Sequence, residues 1–145
     1  MARVSTYLNF EGNTEQAFNF YKSVFGGDFL APGIKRFRDV TMPEKTPTLS
    51  EKDSNLVMHI ELEIIAGHIL MASDSLEAMG YKIHFGNNNH INLDLDSKGE
   101  TQKLFDALSK GGQITQNLED MFWGVYYGSC IDQFGVNWMF NFSKK

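Results

Sequence analysis

The chain has 145 residues, of which 42% are hydrophobic and 21% charged, with only 3 prolines; that is enough for about one globular domain with a packed core. A net charge of -5, with 13 basic residues scattered along the chain, lacks the basic stripe that nucleic-acid binding requires. No apolar run approaches the roughly 18 to 20 residues of a membrane span. Met1-Ala2-Arg3-Val4-Ser5 leads straight into a strand pattern rather than a signal-peptide hydrophobic region, so the expected location is cytoplasmic, with neither nucleic acid nor membrane as a partner.

Tyr7-Leu8-Asn9-Phe10 alternates as a short strand. Residues 13–25 follow with Ala17, Phe20, Tyr21 and Val24 at the spacing of one helix face. Asn13 with Gln16 predicts an N-terminal capping box, and Gly26-Gly27 supplies a left-handed stop. A strand is expected over 34–39, then a loop over 42–54 that contains two prolines. The strictest alternation in the chain runs from Leu56 to Ile64, and Ala66-Gly67 turns it into a strand over 68–74.

A loop over 76–89, ending in Gly86-Asn87-Asn88-Asn89, leads into a second series. His90 to Leu95 alternates, Ser97 with Glu100 forms a capping box ahead of Leu104, Phe105 and Leu108, and Gly111-Gly112 ends that helix. Strands are expected over 113–116, 125–131 and 136–142. Cys130, the only cysteine, lies in one of them; it excludes an internal disulfide and reads as a small packed residue. One shift superposes Gly26-Gly27 on Gly111-Gly112 and Phe20 on Phe105. The expectation is a single α+β domain over 1–145, built from a βαβββ module at 1–75, a linker at 76–89 and a second module at 90–145. Its mixed sheet should curl around a cleft, with the helices outside.

The segments that carry a family likeness are Gly12-Asn13-Thr14-Glu15, Phe25-Gly26-Gly27, Val57-Met58-His59, Gly67-His68, Ser73-Asp74, Asn89-His90-Ile91, Met121-Phe122-Trp123-Gly124 and Asp132-Gln133-Phe134-Gly135-Val136-Asn137-Trp138. In this order they resemble the PhnB-like family of the vicinal oxygen chelate superfamily, which includes glyoxalase I, extradiol dioxygenases and bleomycin-resistance proteins. The resemblance runs nearly end to end. It implies the glyoxalase/bleomycin resistance/dioxygenase fold and a homodimer. Family proteins are also labelled 3-demethylubiquinone-9 3-methyltransferase-like, although this chain has no glycine-rich loop of the Rossmann kind after a strand.

Enzymes of that superfamily hold a divalent metal with four inward side chains, one from the first and one from the last strand of each half. The matching positions here are Ser5, Met71, His90 and Met139. Only His90 is a good ligand for a hard or borderline divalent ion. The resemblance therefore implies a degenerate site, with no metal and no cofactor expected. Register slips bring Tyr7 or Asn9, Ser73, Asn92, and Asn137 or Asn141 to the same places, and none of these is a strong ligand.

Strand parity separates a mixed face from an apolar one. His90, Asn92 and Asp94 oppose Ile91, Leu93 and Leu95, while Asn137, Met139 and Asn141 oppose Trp138, Phe140 and Phe142. The mixed faces should line the cleft and bind an unidentified small molecule through Tyr7, Asn9, His59, Glu61, Met71, His90, Asn92, Trp123, Tyr127, Asn137 and Met139. The alternative is a divergent lyase or dioxygenase, metal-dependent or using His59, Glu61 or His90 as base. A third reading is a structural homodimer with a filled cleft. In it, His59 and Glu61 are the polar side of a sheet, and Phe122, Trp123, Tyr126 and Tyr127 belong to core or interface.

Overall fold

In the computed structural model, which describes residues 1–144, the chain divides into two units, Met1–His84 and a second beginning at Phe85. The first unit contains β1 (Thr6–Phe10), α1 (Thr14–Phe25), β2 (Lys35–Arg36), α2 (Glu51–Ser54), β3 (Val57–Glu63) and β4 (Ile69–Asp74). Its sheet runs β1-β4-β3-β2. β1 lies parallel to β4, with Thr6 opposite Leu70 and Phe10 opposite Asp74, and the other neighbours are antiparallel.

The helix face of α1 is rotated from the sequence expectation. Thr14, Ala17, Phe18 and Tyr21 are buried, whereas Phe20 and Val24 are only half-buried. These four keep the same spacing but start from Thr14, and Phe18 meets Tyr21 edge to face at 5.7 Å. The expected cap is also replaced. Asn13 makes no side-chain cap bond. Instead the buried Asp74, at the end of β4, accepts from Gly12 N, Thr14 N and Thr14 Oγ1 through Oδ1 at 2.9, 3.0 and 2.7 Å. Its Oδ2 accepts from Val57 N at 2.9 Å. One carboxylate thus ties a strand end, a helix start and the first residue of the neighbouring strand. At the other end of α1, Gly26 takes φ 82°, a value that favours glycine, and its N–H closes on the Lys22 carbonyl.

The strand expected over 34–39 is shorter. Lys35–Arg36 pairs with β3 across a register shift, and Phe37–Asp39 turns into a 3-10 helix whose Asp39 Oδ2 accepts from Arg36 N at 2.8 Å. That side chain offers the backbone a local partner in place of the ladder. The loop over 42–54 ends in α2, where Ser50 Oγ accepts from Asp53 N. A further 3-10 turn, Glu77–Met79, interrupts the segment expected as an unstructured linker.

The second unit contains β5 (Ile91–Asp94), α3 (Lys98–Ser109), β6 (Gln113–Asp120), β7 (Val125–Ile131) and β8 (Asn137–Ser143), in the sheet order β5-β8-β7-β6. β5 is parallel to β8, as β1 is to β4. Here the cap is the expected one: Ser97 Oγ accepts from Glu100 N at 3.1 Å. α3 buries Thr101, Leu104, Phe105 and Leu108, and Phe105 meets Phe140 edge to face at 5.3 Å. β6 continues to Asp120, past the expected end at Gln116, and forms a hairpin with β7 through the turn at Met121 to Gly124. Asp132 Oδ1 accepts from Phe134 N and Val136 N, and its Oδ2 accepts from the buried Trp138 Nε1 at 2.9 Å, which shapes the β7–β8 turn.

Both units are therefore βαβββ, and the class is α+β with two four-stranded mixed sheets. Among the described residues no helix is long and apolar enough to cross a membrane.

Candidate functional site

In the first unit, β1, β4 and β3 lie side by side, so their alternating residues form rows across the sheet. Tyr7 stands opposite Met71, which stands opposite Glu61. In the adjoining row Asn9 stands opposite Ser73, and Lys35 of β2 stands opposite His59. The alternate positions Ile60, Leu62, Leu70 and Ala72 are fully buried, so the rows of polar residues are on the opposite face from the core.

These side chains touch one another. The Tyr7 hydroxyl donates to Ser73 Oγ at 3.2 Å and lies 3.5 Å from His59 Nδ1. His59 Nε2 lies 3.3 Å from Glu61 Oε2, and Arg3 donates to Glu61 Oε1 at 3.4 Å. Ser5 Oγ donates to Met71 Sδ at 3.8 Å. A run of polar groups, Ser73, Tyr7, His59, Glu61 and Arg3, crosses the face. Of the expected residues, Tyr7, His59 and Glu61 join this run, Ser5 and Met71 pair with each other beside it, and Asn9 is exposed on the same face. From sequence Ser73 enters only as a register slip, and Arg3 does not enter at all. Ser73 follows Met71 at the strand period and was legible; Arg3 precedes the strand and carried no pattern.

The second unit repeats the arrangement with amides. Asn92 stands opposite Met139, which stands opposite Ser129. Asn141, opposite both Asp94 and Tyr127, donates through its amide to Asn92 Oδ1, and Asn92 Nδ2 donates to Asp94 Oδ2 at 3.3 Å. Asn137 donates to the Gly86 carbonyl at 2.8 Å, and His90 is exposed just before β5. Trp138 and Phe140 are buried on the other face, so strand parity holds. Tyr126 belongs to that other face, donating to Gln102 of α3 at 2.9 Å. Trp123 is not on a strand row at all. It sits 56% exposed in the β6–β7 turn, edge to face with Phe122.

Two other polar features are accounted for within the fold. A cavity of about 310 Å³ beside α1 is lined by Glu15, Arg36, Asn55 and Asp74. Arg36 donates to both Glu15 carboxylate oxygens and to the Asn55 carbonyl, and the Glu15 partner raises the guanidinium above its usual pKa. Cys130 is buried, and its thiol is pushed up to about 12, first by burial and then by Asp132. Among the described residues no group of three or more His, Cys, Asp or Glu is placed to hold a metal ion.

The family model described as 3-demethylubiquinone-9 3-methyltransferase matches residues 2–140. The chain belongs to that family. Protein YjdN of Escherichia coli K12, a relative, is 29% identical over 98% of this chain and 96% of its own. The solved structure of PA1353 from Pseudomonas aeruginosa is 32% identical, with both chains fully covered and a TM-score of 0.82. A PhnB protein from Bacillus cereus is 24% identical over 98% of this chain and 100% of its own, with a TM-score of 0.75. A glyoxalase/bleomycin resistance protein/dioxygenase family enzyme from Burkholderia phytofirmans shares the fold at 15% identity and a TM-score of 0.60. The chain thus has the glyoxalase/bleomycin resistance/dioxygenase fold that the PhnB-like resemblance implies.

The four positions that the resemblance matches to metal ligands carry a donor set poorly suited to a divalent ion. In the first unit they supply a hydroxyl and a thioether, Ser5 and Met71, already bonded to each other. In the second they supply the His90 imidazole and the Met139 thioether. Hard and borderline cations select imidazole and carboxylate, and thioethers select soft ions.

Proposed function

We propose that this protein binds a small organic molecule on the polar sheet face of its first unit, without the divalent metal of its superfamily. The run from Ser73 through Tyr7, His59 and Glu61 to Arg3 carries this reading. It gathers donors and acceptors on three rigid strands beside the exposed Tyr7 ring and the half-buried Met71, the mix that orients a small ligand. In the second unit, Asn92, Asn137, Met139 and Tyr127, with His90 before the strand, offer a matching set. The proposal includes a homodimer in the cytoplasm, following the family resemblance.

Methyl transfer, named in the family's description, is not part of the proposal. Among the described residues each sheet has a single parallel pair, joining the first and last strands of its unit, and no glycine-rich strand-to-helix turn of the dinucleotide-binding kind.

Thermal-shift screening of untagged protein against small metabolites and divalent ions tests the reading, with Met71→Trp as the blocking variant. Met71 lies between Tyr7 and Glu61 in the row, so an indole there covers the face. Ligands should stabilise the wild type and not the variant. One tightly held divalent ion per chain, or ligands indifferent to Met71→Trp, would overturn it.

A further inference from the structure

The polar run on the first unit has a direction that binding alone does not need. An ionised carboxylate only accepts hydrogen bonds, so in the neutral His59 imidazole the 3.3 Å contact with Glu61 selects the tautomer with its proton on Nε2 and a lone pair on Nδ1. That lone pair lies 3.5 Å from the Tyr7 hydroxyl, with the two rings 5.9 Å apart. Ser73 Oγ lies 3.2 Å away on the other side. The phenol proton therefore has two acceptors in reach, and one of them is an imidazole backed by a carboxylate.

The same order of carboxylate, imidazole and hydroxyl activates nucleophiles on unrelated folds. The inner members are the more covered: side-chain exposure is 22% at Glu61 and 31% at His59, while Tyr7 is 47% exposed at the open end. We propose that Tyr7 is an activated phenol with the His59–Glu61 pair as its base. The face then becomes a proton-transfer site for a ligand that carries a hydroxyl or an acidic C–H.

In the activating step the Tyr7 O–H bond breaks and its electron pair stays on the phenolate oxygen. The proton passes to His59 Nδ1, and Glu61 holds the imidazolium. Ser73 turns its own O–H to donate to the phenolate. A ligand acid then returns a proton to Tyr7, and His59 releases its proton to the ligand or to water. Arg3, 3.4 Å from Glu61, and Lys35, opposite His59, are cations on the same face as the relay.

The proposal takes its ligand from the binding reading, but the activation of Tyr7 stands on geometry alone and is tested alone. Phenylmethanesulfonyl fluoride reports it directly: the phenolate attacks sulfur, fluoride leaves, and the phenolic proton goes to His59. Labelling is followed by peptide mass mapping, with Tyr81, which is 61% exposed, as internal reference. Tyr7 should react about ten-fold faster than Tyr81 or more. His59→Gln and Glu61→Gln should bring it to the Tyr81 rate with unchanged circular dichroism, and Glu61→Asp should restore part of the difference. Equal labelling of Tyr7 and Tyr81 in the wild type, or a Tyr7 rate unmoved by His59→Gln, overturns the proposal. Fast labelling with no ligand found counts against the binding reading only, and ligands found with slow labelling count against this one only.

Discussion

Replacing Asp74 by Ala should be among the most destabilising single changes in the first unit, and its cost follows from the hydrogen bonds. The side chain is 3% exposed and accepts from three backbone N–H groups, Gly12, Thr14 and Val57, and from the Thr14 hydroxyl. Alanine leaves those amides without a partner where water has little access. A lost helix cap costs about 1 kcal/mol, and a buried unsatisfied donor about 1 to 3 kcal/mol. With partial relaxation, about 3 to 5 kcal/mol is expected. Asn13→Ala is the matched control, because Asn13 makes no side-chain cap bond, and it should stay within about 0.5 kcal/mol of the wild type. Urea unfolding followed by circular dichroism measures both. Hydrogen exchange at the Thr14 and Val57 amides shows whether the loss is local. An Asp74→Ala cost below about 1 kcal/mol, or an Asn13→Ala cost above it, would refute the assignment of the cap.

Two further outcomes rest on the second unit. Cys130 should resist thiol reagents at pH 8 in the folded protein and react fully in guanidinium. With its folded value raised to about 12 from 9.0, its contribution to stability is complete below about pH 9 and is lost as pH rises toward 12; acid–base titration of the unfolding midpoint checks the sign. Trp138→Phe should leave only the exposed Trp123, giving red-shifted, iodide-quenchable emission, whereas Trp123→Phe should leave a blue-shifted, protected signal. The first variant also removes the bond to Asp132 and should lower stability by about 1 to 3 kcal/mol.

Local signals carried most of the architecture. The period-2 runs at 56–64 and 136–142 named the strands and told their faces apart, because a buried face needs apolar residues at every second position. Ser97 with Glu100 marked a helix start because donor and acceptor lie within one turn. The start of α1 could not be recognised in this way, since its acceptor is Asp74, distant in sequence and adjacent only once β4 lies beside β1. The inner face of α1 was misread for a related reason: Phe18 and Phe20 are equal in hydrophobicity, and packing against β3 and β4 decides between them. At β2 the Asp39 side chain competed successfully for the backbone. The polar rows were legible at Tyr7, Asn9, His59 and Glu61, but the contacts linking Arg3 to Glu61 and Tyr7 to Ser73 depend on register, which alternation leaves free.

The parallel pairing of β1 with β4 sets an order of events during synthesis. β1 leaves the ribosome first, yet its partner is the last strand of the unit, and the same terminal residue of that strand supplies the cap of α1. A nascent chain that stops short of Asp74 lacks both the neighbour of its first strand and the acceptor that starts its first helix. The unit must then close late and as a whole, with the loop-closure cost met before the long-range contacts can repay it. Until then Phe10, Phe18 and Tyr21 stay open to solvent, so the growing chain is most vulnerable to aggregation just before β4 emerges.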